Sequence, residues 1–212
     1  KKVETSIFIL ECHNLFNHLH PFTFNNFNVA DWKAFDKCQD SEQIAEMESK
    51  GTPYFYRMAF DKVLKEVKST KVAEGKVVLW NVYNMGYVVK TPAHTFGIDI
   101  VQKHLDQLAP ELDFLLVTHN HGDHNNAHAR NQLALAEVKT YAGFKLAQPH
   151  EYQGKVFDLQ YVEEKDMIQI GEISIRCTRV DHNKSEAGKK FVTTYEIDCG
   201  ESTGNAVVFH TG

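Results

Sequence analysis

The passage from Phe114-Leu115-Leu116-Val117 into Thr118-His119-Asn120-His121-Gly122-Asp123-His124 constrains this chain more than any other. Four consecutive apolar residues have the pattern of a strand covered on both faces, since alternation is expected only where one face meets water. Three imidazoles and a carboxylate then crowd the place where that strand ends. These are donors that zinc takes, and a catalytic zinc site needs only three protein ligands with one position left for water. His119 and His121 can face the same way, while Asp123 and His124 lie further along and can reach a second ion. Gly122 is expected to permit the bend between them. The competing reading is a His-rich surface turn in a chain with 12 His, but abundance alone rarely yields His, His, Asp and His in this order after an apolar strand.

Around this run the text reads as short strands. Val77 to Tyr83, Tyr87 to Thr91 and Phe96 to Val101 are β-branched and aromatic, punctuated by Gly86 and Pro92. A helix is predicted from Val101 to Leu108, ending before Pro110, and a second from Ala127 to Val138. Further strands are predicted at 166–170, 172–181, 190–198 and 205–210. Residues 1–74 differ, with Phe22, Phe24, Asn25, Asn26 and Phe27 followed by two predicted helices. They are expected to form a mainly helical N-terminal extension to a domain at 75–212. Phe55, Ala59, Val63 and Val67 recur every four residues and are expected on one helical face, after a break at Gly51-Thr52-Pro53.

Composition narrows the partners. A formal charge of −5 and 24% charged residues supply no basic field for a phosphate backbone, so a small-molecule substrate is expected rather than nucleic acid. No apolar stretch approaches the roughly 20 residues that a membrane span needs. The chain starts at Lys1 without methionine, so preceding residues are expected to be missing. A cytoplasmic location is the working expectation, with periplasmic or secreted placement left open. Cys12, Cys38, Cys177 and Cys199 lack C-x-x-C spacing, which favours thiols over a disulfide framework or zinc ribbon.

The H-x-H-x-D-H run resembles the signature of the metallo-β-lactamase superfamily. The resemblance implies an α/β fold, an αββα sandwich, with zinc as the metal, two ions in the full-length protein, manganese and iron being alternatives. It implies that His119, His121 and His182, within Arg179-Val180-Asp181-His182-Asn183, hold the first metal, and that Asp123 and His124 serve the second, Asp123 also orienting the attacking water. Asp99 in Gly97-Ile98-Asp99-Ile100 corresponds to a carboxylate that orients a ligating His through its other N–H. Capping of the helix near Val101 is an equal alternative for Asp99, and a surface role remains one for His182. The closing Val207-Val208-Phe209-His210-Thr211-Gly212 resembles the strand that leads into a bridging Asp. That Asp and the last ligating His would lie beyond Gly212, so the sandwich is expected to be C-terminally incomplete here, the second metal weakly held and this stretch by itself metal-poor or inactive.

The resemblance further implies hydrolysis by a metal-activated water. Asn125-Asn126-Ala127 after the Asp-His pair counts against glyoxalase-like and tRNA-processing members. The absence of Cys from the Thr-Gly strand counts against true β-lactamases. Asn84 to Thr91 before Gly97-Ile98-Asp99 looks like the lactonase and phosphodiesterase branch that includes ascorbate-6-phosphate lactonase, so a lactone or phosphoester is the expected substrate. A mononuclear-iron sulfur dioxygenase and a non-catalytic scaffold are the alternatives. His94, His104, His128 and His150 match no ligand position and are expected in solvated or hydrogen-bonded roles. His210 is expected on the strand face away from the site. Cys12-His13 and His18-Leu19-His20 lack the rest of a ligand shell and read as part of the extension.

Overall fold

The computed structural model describes residues 34–35, 37–38, 40–49, 51–82, 85–185 and 188–210. Cys12-His13, His18-Leu19-His20, the Phe22–Phe27 text, Tyr83-Asn84 and Thr211-Gly212 lie outside the described residues. Packing divides the chain into two units, one ending at Asp61 and the other beginning at Lys62.

In the first unit, α1 (Ser41–Met47) starts where the Asp40 side chain accepts from Gln43 N, satisfying one orphan N–H. Helix α2 (Gly51–Ser69) runs from the first unit into the second. Its buried positions are Phe60 and Val67, whereas Phe55 is exposed. The expected Phe55-Ala59-Val63-Val67 stripe is therefore incorrect. Each step of four advances about 40° beyond a full helical turn, so such a line winds off the face, while positions seven apart stay on it.

In the second unit the end of α2 is tied to two strands. Trp80 Nε1 donates to Glu66 Oε2 at 2.9 Å and Lys90 Nζ donates to Val67 O at 2.6 Å. These strands open a six-stranded sheet, β1 (Val78–Val82), β2 (Gly86–Lys90), β3 (Thr95–Ile98), β4 (Phe114–Val117), β5 (Lys139–Ala142) and β8 (Leu159–Tyr161) in that order. Pairing is antiparallel through β3 and parallel from β3 onward. All four β4 residues are buried, as a strand covered on both faces requires. A two-stranded hairpin, β6 (Glu151–Tyr152) and β7 (Lys155–Val156), precedes β8. The second sheet is antiparallel, ordered β12 (Val207–His210), β11 (Gly188–Asp198), β10 (Ile173–Ser185), β9 (Met167–Ile170).

The sheets meet over one core. Phe96, Ile98, Phe114 and Leu116 come from the first sheet, and Ile173, Ile175, Cys177, Tyr195 and Ile197 from the second. Phe96 and Phe114 stack at 4.8 Å. On the other face of the second sheet, Val180, Val207 and Phe209 are exposed hydrophobics, whereas Phe191, also exposed, lies on the inward face and lines the cavity described below. No helix among the described residues is long and apolar enough to cross a membrane.

Several predicted boundaries move. The helix expected from Val101 is only α3 (Leu105–Leu108), followed by a 3-10 turn that takes Pro110 into its first turn. Helix α4 (Ala127–Leu135) stops before Val138, with Glu137 at φ 55° turning the chain into β5. Strands β5 and β8 were not anticipated, because Lys139-Thr140-Tyr141-Ala142 and Leu159-Gln160-Tyr161 are too short and polar to show a pattern.

Candidate metal centre

Strands β3, β4 and β5 run parallel, so their C-terminal ends bring Asp99, Thr118 and Gly143 to one edge of the sheet. Loops that leave parallel strands at that edge commonly build sites. The edge is fastened to the second sheet by Thr193 N, which donates to Thr118 O at 2.9 Å, and by the Tyr195 hydroxyl, which donates to Val117 O at 2.8 Å.

Asp99 organises what lies beneath the loop. Its backbone adopts φ 50°, a left-handed conformation that Asp tolerates better than most residues, and its N–H is held by Leu116 O at 2.9 Å. The buried carboxylate accepts from Thr118 N at Oδ1 (2.8 Å), and at Oδ2 from the Thr118 hydroxyl (2.8 Å), His124 Nδ1 (3.0 Å) and His210 Nε2 (3.1 Å). Burial opposes its ionisation, but the histidines and Thr118 outweigh it and hold the carboxyl below its usual range. Burial likewise opposes protonation of His124, and the bond to Asp99 with its charge overcomes this and raises the imidazole. The helix-capping alternative for Asp99 does not apply, since α3 begins beyond His104 without a side-chain cap.

These bonds also set tautomers. The Thr118 hydroxyl gives its proton to Asp99, so its oxygen accepts from His119 Nδ1 at 3.0 Å, leaving a lone pair on His119 Nε2. Asp99 accepts the His124 Nδ1 proton, leaving His124 Nε2 as the donor atom. His119 Nε2 lies 3.0 Å from His121 Nδ1. Burial, then the charges of His124, His121 and His182, lower the His119 pKa to about 4, so its imidazole is neutral near pH 7, as a ligand must be.

His182 reaches the same place from the second sheet. Asp181 pairs with Phe191 and Asn183 with Lys190, so the register slips at His182, which has no partner of its own. An extra residue of this kind re-aims its side chain. Without the slip, alternation would put His182 on the outer face with Val180. Ligand atoms of His119, His121 and His182 all lie within 4.8 Å of one another, and the rings of His119 and His121 stand 4.6 and 5.0 Å from that of His182.

Asp123 and His124 stand apart from this trio. The His124 ring is 4.0 Å from that of His119, but its Nε2 faces Asp123 Oδ2 at 3.8 Å, with Asp123 mostly exposed. The loop turns through His124 N and Asn125 N, which donate to His121 O at 3.0 and 2.7 Å. Gly122 has no positive φ, and a Cβ there would meet nothing within 4 Å. The bend therefore needs no glycine, contrary to the expectation from sequence.

His210 is a further correction. It pairs with Tyr195, which faces the core, and partners across a ladder share a face. His210 consequently points inward to Asp99, its ring 5.6 Å from Tyr87. His94, His128 and His150 bond to Asp113, Lys103 O and Asn131.

A cavity of about 390 Å³ opens over the trio, walled by Thr118, Asn120, Gly143, Phe144, Arg179 and Phe191. Gly143 is confined there, because a Cβ would lie 1.9 Å from Thr193 Oγ1. Thr118, His210 and Arg179 had been given no part in the site. For Arg179 a signal existed, a charged residue continuing the inward alternation Ile173, Ile175, Cys177.

No protein-family model matches the chain. Over 101 residues, 44% of this chain, it is 31% identical to a hydroxyacylglutathione hydrolase of Rhodopseudomonas palustris (strain BisB5), and equally to that of strain ATCC BAA-98 / CGA009. The chain matches only 37% of the length of each. Among solved structures, it is similar to the metallo-beta-lactamase fold protein YhfI from Bacillus subtilis, with 16% identity, TM-score 0.45, and coverage of 67% of this chain and 60% of that one. A possible metal-dependent hydrolase from Veillonella parvula DSM 2008 gives 14% identity, TM-score 0.44, and coverage of 68% and 63%. None of these matches speaks for the narrower lactonase and phosphodiesterase branch. Both relatives are named hydroxyacylglutathione hydrolase, whereas Asn125-Asn126-Ala127 counts against glyoxalase-like members.

Proposed function

We propose that this chain is a metal-dependent hydrolase of small molecules, acting on a lactone or phosphoester. The relatives' name adds hydroxyacyl-glutathione conjugates to the candidate substrates. The observation that carries the reading is the meeting of His119, His121 and His182 from two different sheets within 4.8 Å. Imidazole nitrogens bound to one tetrahedral zinc stand about 3.3 Å apart, given Zn–N near 2.0 Å, and the His119–His121 separation of 3.0 Å is close to that. Neutral His119 suits the same role. The trio therefore fits one borderline dication, with zinc the first candidate and manganese or iron the others.

A metal held there would supply Lewis acidity and activate water near neutral pH. The chain's own contributions are positional. Asp99 and Thr118 fix which nitrogen of His119 and His124 carries a proton. His124 Nε2 and Asp123 form the weaker half of a second position, and Asp123, exposed at the loop, is the group available to orient water. Phe144 and Phe191 give the cavity apolar walls beside the reacting end.

The test is a screen of the metal-loaded chain on a lactone, a phosphodiester and a hydroxyacyl-glutathione conjugate. Turnover of one of them should fall roughly 10²–10⁴-fold in Asp123→Ala, the range for loss of a positioned proton-handling group. Undiminished turnover in that variant would refute the role of Asp123. Iron binding with oxygen consumption would instead favour the dioxygenase alternative, and no turnover with any metal would favour the scaffold.

A further inference from the structure

We infer that Arg179 recognises an oxyanion, so that the site takes an anionic substrate whose carboxylate or phosphate lies beside the group reacting at His119, His121 and His182. The reacting end rests on the hydrolase reading above, whereas the anion contact stands on its own observations. Arg179 is half-buried in the cavity wall, and among the described residues it is the one side chain of that wall with a permanent charge, with no Asp or Glu beside it. Arg57 and Arg176 pair with Asp61 and Glu196. Arg179, by contrast, meets no carboxylate within ion-pair distance among the described residues, and its protein partners are neutral: the Tyr161 hydroxyl at 2.8 Å, Val162 O at 3.2 Å and Gly143 O at 3.5 Å.

All three contacts fall on Nη2. They anchor one corner of the guanidinium, and among the described residues none of its hydrogen bonds uses Nη1 or Nε. Nε and Nη1 thus keep N–H groups outside those contacts, and each can donate a charge-assisted hydrogen bond to an oxygen of a carboxylate or phosphate. A second cation stands nearby, Lys145 Nζ lying 4.2 Å from the centre of the Tyr161 ring, which Arg179 also faces at 5.7 Å. A cation kept half-buried without a counter-charge is costly unless something else supplies the charge. An anionic ligand does so, and Phe144 and Phe191 offer apolar surface beside it.

The test compares zinc-loaded wild-type chain with Arg179→Gln and Arg179→Lys on p-nitrophenyl acetate, which is neutral, and mono-p-nitrophenyl succinate, which carries a carboxylate. The ratio of kcat/KM for the succinate over the acetate ester should drop roughly tenfold or more in Arg179→Gln and be largely kept in Arg179→Lys. In parallel, succinate and inorganic phosphate are titrated calorimetrically onto the three proteins at equal zinc content, which also tells which oxyanion is preferred. Binding should weaken by a similar factor in Arg179→Gln alone. If neither ester is hydrolysed but this pattern of anion binding appears, the hydrolase reading falls and the Arg179 inference stands. An unchanged ratio together with equal anion binding by wild type and Arg179→Gln overturns the inference, as does equal loss in Arg179→Lys and Arg179→Gln.

Discussion

Asp99 shows how much one buried carboxylate can determine. It gathers a backbone N–H and a hydroxyl from the end of β4, one imidazole from the metal loop and another from β12. Truncating it leaves His124, His210 and Thr118 N without their acceptor in a buried place. We expect Asp99→Ala to cost about 3 kcal/mol in urea unfolding and to weaken zinc binding, measured by chelator competition, roughly 10–100-fold. Stability and affinity within error of wild type would refute the network. The buried thiols give a second residue-level expectation. Burial raises Cys177 and Cys199 to about 11, so at pH 8 only about one in 10³ of each is thiolate. Both should resist iodoacetamide in the native protein and react promptly in urea, and mass spectrometry after labelling decides it; native labelling at the rate of the unfolded chain would contradict it. The sequence showed His119, His121, Asp123 and His124 because they are adjacent in text and follow an apolar strand. It could not show that His210 faces Asp99, because the face depends on pairing with Tyr195, a register written nowhere in the local pattern.

At the level of elements, the strands that carry the site were the easiest to read. Phe114 to Val117 was delimited as observed, since a strand buried on both faces announces itself by an unbroken apolar run. Strand β10 was legible in its alternation, but not in the register slip that turns His182 inward, because a bulge leaves no compositional trace. The metal loop was read with a hinge it does not need. Gly122→Ala is expected to leave metal affinity unchanged and to alter stability by less than about 1 kcal/mol, in the stabilising direction, by restricting the unfolded chain. A loss of more than that in thermal or urea melts would restore the glycine requirement. The helix that follows the loop is anchored by Asn126, whose side chain accepts from Ala129 N at 2.8 Å. Asn126→Ala should cost about 1 kcal/mol, read from the same melts, and an unchanged midpoint would show that the cap is not needed.

Across the second unit, the arrangement places chemistry where two sheets meet. Parallel strands of the first sheet deliver His119 and His121 at their C-terminal edge, and the longest strand of the second extends past the core to bring His182 over them. Neither sheet alone forms the trio. The resemblance seen in the H-x-H-x-D-H run reached this geometry because ligand spacing is local. The Arg179 wall became visible only once β10 was laid beside β5 and β8. The central claim is that one metal is shared between the sheets through His119, His121 and His182. Zinc-edge X-ray absorption of the zinc-loaded chain tests it most directly, with His182→Ala beside wild type. The account predicts imidazole nitrogens at about 2.0 Å, with one fewer and a weaker zinc affinity in the variant. An identical spectrum and affinity in His182→Ala, or zinc bound without imidazole, would contradict it.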